Sequence, residues 1–210
     1  MLSIVRLTLG PVETNTYLIA NERTKEAVVI DPAWDGVVIL SEAKRRGWRI
    51  SSLWLTHAHF DHLGGAAAVA DGVDPPPPVA LHPDDQGLWH IQGGAAIFGM
   101  QIDPGPEPTI ELFHGQILHL GEIELEVRHT PGHTRGGVVF YCPSDKVVFA
   151  GDTVFQGSIG RTDLPGGDYD TLIESIRSQV LSLPDETRLL PGHGPESTVG
   201  KERLYNPFLS

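Results

Sequence analysis

One short segment of the chain concentrates side chains that bind metal ions. Residues 56–62 have the sequence Thr-His-Ala-His-Phe-Asp-His and directly follow the apolar stretch Ser52–Leu55. Three imidazoles and a carboxylate are costly to place so close together unless a cation orders them, and they are usual ligands of zinc, iron and manganese. His57 and His59 are two positions apart, so they can point the same way from an extended chain. The segment predicts a metal site, against the alternative of a solvated polar loop.

Three further candidate ligands occur later in the chain, each a few residues after an apolar stretch. His133 lies in Thr-Pro-Gly-His-Thr, Asp152 in Phe-Ala-Gly-Asp-Thr and His193 in Pro-Gly-His-Gly. Ligands that follow strands can converge at one edge of a sheet, where α/β proteins commonly place their chemistry. Neighbouring glycines let the backbone and a cation approach closely. This recurrence favours one shared metal centre more strongly than any single motif does.

The elements that must position these residues follow from apolar runs separated by turn residues. Runs rich in Val, Ile, Leu and Thr predict strands at residues 3–9, 16–20, 27–30, 52–55, 79–81, 123–128, 137–141, 146–150 and 188–190. A helix is predicted at residues 36–46, with Val37, Leu40 and Ala43 on one face and Gly47 as its stop. Further helices are predicted at residues 64–70 and 169–183, the latter with an apolar face formed by Leu172, Ile176, Val180 and Leu183.

The early run of strands and the later alternation of strand and helix predict the α/β (α+β) class, with mixed sheets covered by helices. Residues 74–78 carry four consecutive prolines and predict a stiff surface connection, not a domain boundary. Residues 84–108 are the least regular part. The apolar side chains there either cover a pocket or pack locally, and local packing is the favoured interpretation for Trp89, Ile97, Phe98 and Met100.

Composition narrows the class of protein. The chain has 210 residues, 40% hydrophobic and 20% charged, which is typical of one globular domain over residues 1–210. The formal net charge of −12 disfavours nucleic acid as a partner. The sequence has no stretch near the roughly 20 apolar residues of a membrane span, no signal peptide is evident at its start, and Cys142 is interpreted as a buried hydrophobe. We therefore expect a soluble, cytoplasmic protein with no membrane partner.

The ligand pattern resembles that of the metallo-β-lactamase superfamily, in which His-x-His-x-Asp-His is followed by His, Asp and His. More narrowly, the chain is similar to the short bacterial-type members of the glyoxalase II-like (hydroxyacylglutathione hydrolase-like) branch, over nearly its whole length up to Asn206-Pro207-Phe208-Leu209. The resemblance implies an αββα sandwich of two mixed sheets flanked by helices, with the metal site at one edge.

The resemblance also implies a role for each ligand. His57, His59 and His133 would hold a first metal, Asp61, His62 and His193 a second, and Asp152 would bridge them. Two divalent ions are implied, with zinc expected and iron or manganese as alternatives. Hydroxide formed at the metals would attack a polarised carbonyl, and Asp61 is a candidate catalytic residue that orients the water or carries its proton. Thr56, Thr134 and Thr153 are candidates for supporting the ligands, or are ordinary turn hydroxyls.

The implied substrate is a small-molecule thioester such as S-lactoylglutathione. Longer members of the branch add a C-terminal helical region that helps to bind glutathione, and we expect this chain to lack it because the sequence ends 17 residues after His193. Arg161 is a candidate for pairing with a substrate carboxylate, or with Asp163 or Asp168 as a structural tie, which is slightly favoured. The remaining histidines are expected at the surface or in packing: His82, His90, His114, His119 and His129.

Two alternatives stay open. One is a mononuclear iron persulfide dioxygenase of the same superfamily, which would use His57, His133 and Asp152 as a facial triad. The other is a non-catalytic metal-binding module. Oligomeric state does not follow from the sequence, and β-lactamase and nucleic-acid-processing activities are less favoured.

Overall fold

The computed structural model describes residues 1–209, which form fourteen strands and six α-helices. The strands are β1 Leu2–Leu9, β2 Thr14–Asn21, β3 Glu26–Ile30, β4 Arg49–Trp54, β5 Val79–Leu81, β6 Ile110–Glu111, β7 Ile117–Leu120, β8 Ile123–His129, β9 Val138–Cys142, β10 Val147–Gly151, β11 Val154–Phe155, β12 Ser158–Ile159, β13 Arg188–Pro191 and β14 Ser197–Thr198. The α-helices are α1 Gly36–Arg46, α2 Phe60–Leu63, α3 Ala66–Asp71, α4 Gln86–His90, α5 Tyr169–Ser175 and α6 Val199–Tyr205. Short 3-10 turns at Pro83–Asp85 and Gln92–Phe98 flank α4, and a π-helical turn at Ile176–Val180 extends α5.

Two six-stranded mixed sheets form the centre of the fold. The first has the order β1-β2-β3-β4-β5-β6 and the second the order β14-β13-β10-β9-β8-β7. In the first sheet β3, β4, β5 and β6 are parallel neighbours, and in the second β10 and β13 are parallel. The mixed sheets predicted from the sequence are confirmed.

Three apolar layers hold the sheets and helices together. The middle layer lies between the sheets, where Trp54 of the first sheet packs on Phe140 of the second with ring centroids 5.6 Å apart. One outer layer packs Ile39 and Ala43 of α1 and Val69 of α3 against the first sheet. The other packs the helical segment after residue 168 against the second sheet. This is the αββα arrangement.

The predicted strands and helices are largely confirmed, with two corrections. Helix α1 has the predicted bounds and ends at Gly47, whose φ of 69° is left-handed. However, Val37 is exposed, and the buried face is that of Ile39 and Ala43. The sequence has apolar residues at four successive positions, 37–40, so its pattern does not select one face. None of the helices in residues 1–209 is long and apolar enough for a membrane crossing.

The second correction concerns residues 84–108. Trp89 is buried in the core as predicted, but Phe98 and Met100 line a cavity, and Ile97 is exposed. The prediction of local packing was therefore wrong for Ile97, while Phe98 and Met100 line a pocket and Met100 also packs against the core. The four-proline stretch lies mostly at the surface, and Cys142 is fully buried, as predicted.

Candidate metal centre

The direction of the strands explains why distant residues meet. In the second sheet β8 and β10 are each antiparallel to β9, and β13 is parallel to β10, so all three run the same way. His133, Asp152 and His193 follow these strands and therefore share one sheet edge. In the first sheet, residues 56–62 follow β4 at the corresponding edge. Hydrogen bonds join the two edges, including Asn15 N–H to the Gly192 carbonyl at 2.7 Å and Val138 N–H to the Thr56 carbonyl at 2.8 Å.

The local conformation of residues 57–62 separates the ligands into two groups. The chain is extended at His59 (φ −71°, ψ 146°) and then enters the one-turn helix α2. His57 and His59 precede the helix, whereas Asp61 and His62 lie within it. The change of direction lets one short segment face two neighbouring positions.

The first group brings together His57, His59 and His133, with one ring nitrogen of each within 4.8 Å of the others. His59 Nδ1 and His133 Nε2 are 2.9 Å apart. Nε2 of His57 is buried and has no hydrogen-bond partner. Three imidazole nitrogens facing one point are suited to one transition-metal ion.

The second group brings together Asp61, His62 and His193 within the same 4.8 Å limit. Oδ2 of Asp61 is 3.1 Å from His193 Nε2 and 3.5 Å from His62 Nε2. Asp152 reaches both groups, because its Oδ2 is 3.7 Å from His133 Nε2 and its Oδ1 is 3.3 Å from His62 Nε2. All seven side chains suggested by the sequence pattern therefore meet at one place.

Hydrogen bonds on the outer side of the rings set their tautomers. His133 Nδ1 donates to the Arg161 carbonyl at 2.7 Å, and His193 Nδ1 donates to the Val12 carbonyl at 3.1 Å. His62 Nδ1 donates to Asp31 Oδ2 at 2.9 Å. In a neutral ring a proton on Nδ1 leaves a lone pair on Nε2, which here faces the centre. The outer bonds thus prepare three nitrogens as metal ligands.

His57 is held by a longer relay of the same kind. The Thr56 hydroxyl donates to Asp31 Oδ2 at 2.7 Å, so its oxygen accepts from His57 Nδ1 at 3.0 Å. Asp31 also accepts from Thr56 N–H at 2.7 Å. Although Asp31, His57 and His62 lie close enough to form a ligand group, these bonds occupy both carboxylate oxygens of Asp31. Its role is therefore to orient two ligands.

Unpaired buried polar atoms and shifted pKa values indicate that the centre is a binding site for a cation. His57 Nε2 is buried without a hydrogen-bond partner, a situation that costs about 1–3 kcal/mol. His62 Nε2 and Asp152 Oδ1 are also buried without a regular hydrogen bond, although they lie 3.3 Å apart. Burial lowers the pKa of His57, and it lowers that of His59 to about 3. Burial also opposes charge on His62, but the carboxylates of Asp152, Asp61 and Asp31 outweigh it and raise the His62 pKa well above 6.5. The proton on His62 lies where a metal cation would bind. The donor atoms and their charge therefore fit bound divalent metals.

Two acidic residues that support the site were not identified from the sequence. Asp31 follows the apolar strand β3, the same signal that marked His133, Asp152 and His193, and could have been found by it. Asp85 gave no such signal. Its buried carboxylate accepts from Ala58 N–H at 3.0 Å, the Thr134 hydroxyl at 2.8 Å and Gly136 N–H at 2.7 Å. It therefore ties the His57–His59 segment to the segment that carries His133.

The three candidate threonines have different roles. Thr56 contacts a ligand directly, through His57 Nδ1. Thr134 acts through Asp85. Thr153 bonds to Thr130 at 3.1 Å. Thr14, which the sequence did not single out, donates to Asp61 Oδ2 at 3.0 Å.

Arg161 forms a structural tie to Asp163, with two guanidinium–carboxylate contacts of 2.8 Å. The other proposed partner, Asp168, instead caps α5 by accepting from Thr171 N–H at 2.8 Å. The Arg161 side chain also lines a cavity of about 420 Å³ that opens directly over the metal centre. A role for Arg161 towards substrate remains a prediction.

His82, Asp84 and His129 form another close group, away from this centre. The two imidazoles are stacked, with centroids 4.1 Å apart and planes within 7°. His82 Nδ1 accepts from Asp84 N–H and His129 Nε2 faces the Arg135 carbonyl. Lone pairs in parallel rings do not converge, so this group is a packing arrangement, which matches the expectation for these histidines.

Comparison with known proteins agrees with the site. The family model for the metallo-β-lactamase superfamily matches residues 9–193. The hydroxyacylglutathione hydrolase GloC of Haemophilus influenzae is 36% identical, with 89% of this chain and 88% of GloC covered. Among solved structures, the BLEG-1 B3 metallo-β-lactamase is 38% identical with a TM-score of 0.92 over 100% of both chains. The di-iron-bound form of TTHA1623 is 41% identical with a TM-score of 0.89, over 98% of this chain and 100% of its own.

The family match extends from β1 to the last of the seven candidate ligands, and the two structures share the fold over essentially the full described chain. The His and Asp groups are compatible with a dinuclear metal site. The likeness to GloC supports membership of the glyoxalase II-like branch. The chain belongs to the metallo-β-lactamase superfamily and has its fold.

Proposed function

We propose that the chain is a thioesterase of the glyoxalase II type, which hydrolyses S-lactoylglutathione or a related small thioester with two divalent metal ions. The observation that carries the proposal is the convergence of seven His and Asp side chains beneath an open cavity, with Asp152 between the two groups. The relative GloC, a hydroxyacylglutathione hydrolase, supports thioesters as the substrate class.

The ligand assignment follows the two groups. His57, His59 and His133 would hold one ion, and Asp61, His62 and His193 the other, with Asp152 shared. Zinc is the proposed metal because it suits this nitrogen and oxygen donor set. Iron and manganese suit the same donors, and the di-iron form of TTHA1623 keeps iron as a direct competitor.

When bound, such ions lower the pKa of water and polarise a substrate carbonyl. The protein contributes orientation. Thr14 donates to Asp61 Oδ2, which fixes the carboxylate where it faces the cavity. Burial raises the pKa of Asp61, but the nearby His62 and His193 outweigh it and hold the pKa below 3.8. Asp61 is therefore ionised at neutral pH and able to accept a hydrogen bond from the attacking water.

The test combines elemental analysis with a thioester panel on protein purified with and without oxygen. The proposal expects about two metal ions per chain, hydrolysis of thioesters, and loss of both after chelation. His193→Ala should remove mainly one of the two ions and slow hydrolysis. His90→Ala is a matched control, because His90 is an exposed histidine outside the centre.

Each alternative gives a different result in the same experiment. About one iron per chain with oxygen consumption on glutathione persulfide would replace the proposal with the mononuclear dioxygenase. Protein with neither bound metal nor thioesterase turnover would indicate a non-catalytic module. A His193→Ala variant with unchanged metal content and rate would also contradict the dinuclear assignment.

A second candidate is β-lactam hydrolysis, which is favoured by the 38% identity to the BLEG-1 B3 metallo-β-lactamase over the whole chain. Both reactions attack a carbonyl at the same site. A comparison of kcat/KM for thioesters and for β-lactams with one preparation decides between them, and a larger value for β-lactams would reverse our assignment.

A further inference from the structure

The cavity above the metal centre has an apolar wall that the thioesterase chemistry does not require. Seven of the thirteen residues that line it are apolar, and five of the others belong to the metal centre. Its volume of about 420 Å³ lies in the range of small-molecule sites, roughly 300–1,000 Å³. The cavity therefore has room for a substrate arm beyond the reacting carbonyl.

The apolar wall begins at the metal-binding segment itself. Phe60 lies between His59 and Asp61, and its ring packs against Phe98 with centroids 5.1 Å apart. Phe98 is 43% exposed and lines the cavity. On the other side Phe155 lies 6.2 Å from the His193 ring. A bound thioester would have apolar side chains on both sides of its carbonyl.

The segment that carries Phe98 is fixed against the metal-binding segment by a close backbone approach. Gly93 has a φ of 63°, and a Cβ at this position would lie 2.2 Å from Phe60 N and 2.7 Å from the Ala58 carbonyl oxygen. Only glycine permits this contact. The contact places the segment that carries Phe98 beside the metal-binding segment.

Charged groups for binding glutathione are scarce in the same cavity. Among residues 1–209, Arg161 is the one arginine or lysine that lines it. Its guanidinium is already paired with Asp163 at 2.8 Å. Glutathione carries two carboxylates and an ammonium group, and the pocket offers them a single cationic side chain, already paired, on a protein of net charge −12.

We propose that this cavity selects thioesters with an apolar arm next to the carbonyl, in preference to S-lactoylglutathione. The inference rests on the proposed thioesterase activity. In the reaction water adds its oxygen to the carbonyl carbon, the carbon–sulfur bond breaks, and the thiolate leaves and takes up a proton. The apolar arm is either the acyl chain or the thiol substituent, because both flank the carbonyl.

The experiment varies the two arms separately. One series carries acyl chains of two to eight carbons on N-acetylcysteamine, and the other carries an acetyl group on thiols of increasing alkyl length, with S-lactoylglutathione as reference. We expect kcat/KM to rise by about fourfold per methylene in one series, the value for burying one methylene, until the cavity is full. Calorimetric binding of alkyl thioethers, which cannot be hydrolysed, should show the same dependence on chain length.

Variants of the wall test the assignment to this cavity. Phe98→Ala should lower the preference for the longest favoured chain roughly fivefold, since a half-exposed aromatic contributes part of its full burial energy. Phe98→Lys should lower it further and raise activity on S-lactoylglutathione. Ile97→Ala is the matched control, because Ile97 is exposed and does not line the cavity.

The outcomes separate this inference from the proposed activity. Thioester hydrolysis without dependence on either arm, or with S-lactoylglutathione as the best substrate, would overturn the substrate class and leave the thioesterase standing. Binding of thioethers with no hydrolysis of any thioester would overturn the thioesterase and the substrate together. A Phe98→Ala variant with unchanged preference would overturn the role of this wall.

Discussion

Replacing Asp85 by Asn tests whether a buried carboxylate outside the ligand set positions the first metal group. Asp85 Oδ1 accepts from Gly136 N–H, and Oδ2 accepts from Ala58 N–H and the Thr134 hydroxyl. An amide has only one acceptor oxygen. In either orientation of Asn, its NH2 group faces a backbone N–H, so one buried bond is lost.

The structure indicates the size of the effect. A hydrogen bond to a charged group contributes about 1.5–3 kcal/mol. The neutral amide recovers part of this, because burial raises the pKa of Asp85 and thus opposes its charge. We expect a net loss of roughly 1–2 kcal/mol, or about 2–8 °C in Tm for a chain of this size. Metal affinity should also fall, by up to the roughly 5–30-fold that 1–2 kcal/mol represents, because Asp85 holds the segments that carry the first ligand group.

The assay is a competition titration of metal-free protein with a chromophoric zinc chelator, together with thermal denaturation. Asp84→Asn is the matched control, because Asp84 is the neighbouring residue and its side chain is 60% exposed. A zinc affinity of Asp85→Asn within twofold of Asp84→Asn would refute the positioning role. A large Tm loss with unchanged zinc affinity would assign Asp85 to stability alone.

Three further predictions follow from the same geometry. Asp152→Ala should lose both metals, because Asp152 approaches both ligand groups, and elemental analysis that finds full metal content would contradict a shared role. Gly93→Ala should lower Tm by roughly 5–10 °C through overpacking and backbone strain. Gly94→Ala is the control and should lower Tm much less, because Gly94 has a similar φ of 75° and a Cβ there would have no atom closer than 3.6 Å. Equal losses of Tm in the two variants would exclude the close contact with Phe60 as the cause. In metal-free protein, the folded pKa values of His57 and His59 are lowered, so the stability that depends on their neutral rings is lost as pH falls below 6.5. The pKa of His62 is raised, so the stability that its proton contributes is lost as pH rises through that pKa. The Tm of the metal-free protein should therefore pass through a maximum above pH 6.5, and added zinc should extend this maximum to higher pH. If zinc left the decline of Tm at alkaline pH unchanged, a cation in place of the His62 proton would be contradicted.

The sequence identified the side chains that converge at the candidate centre because they follow a local rule, and metal binding by them stays a prediction. Each lies a few residues after an apolar run, so residue type and position together were sufficient for His133, Asp152 and His193. The bounds of α1 were also local, since Gly47 ends the helix. The buried face of α1 does not follow from a local signal, because apolar residues occupy positions 37–40. Only the packing against the first sheet selects Ile39 over Val37.

Asp85 and Phe98 show where local rules end. Asp85 acquires its role from three partners at positions 58, 134 and 136, which are distant along the chain and meet only in the folded protein. Phe98 lines the cavity because a glycine five positions earlier holds its segment against Phe60. Neither relation has a periodicity or spacing that a sequence pattern could reveal.

The outer hydrogen bonds explain why the metal centre requires more of the chain than its seven ligands. A neutral imidazole presents a lone pair on only one nitrogen, so a ring with the wrong tautomer would direct a proton at the cation. Asp31 sets His62 directly and His57 through Thr56, while the backbone carbonyls of Arg161 and Val12 set His133 and His193. These partners lie in loops, and Val12, between β1 and β2 of the first sheet, sets His193, which follows β13 of the second sheet. Correct ligand chemistry therefore depends on the two sheets being docked, which couples metal binding to the packing of the whole sandwich.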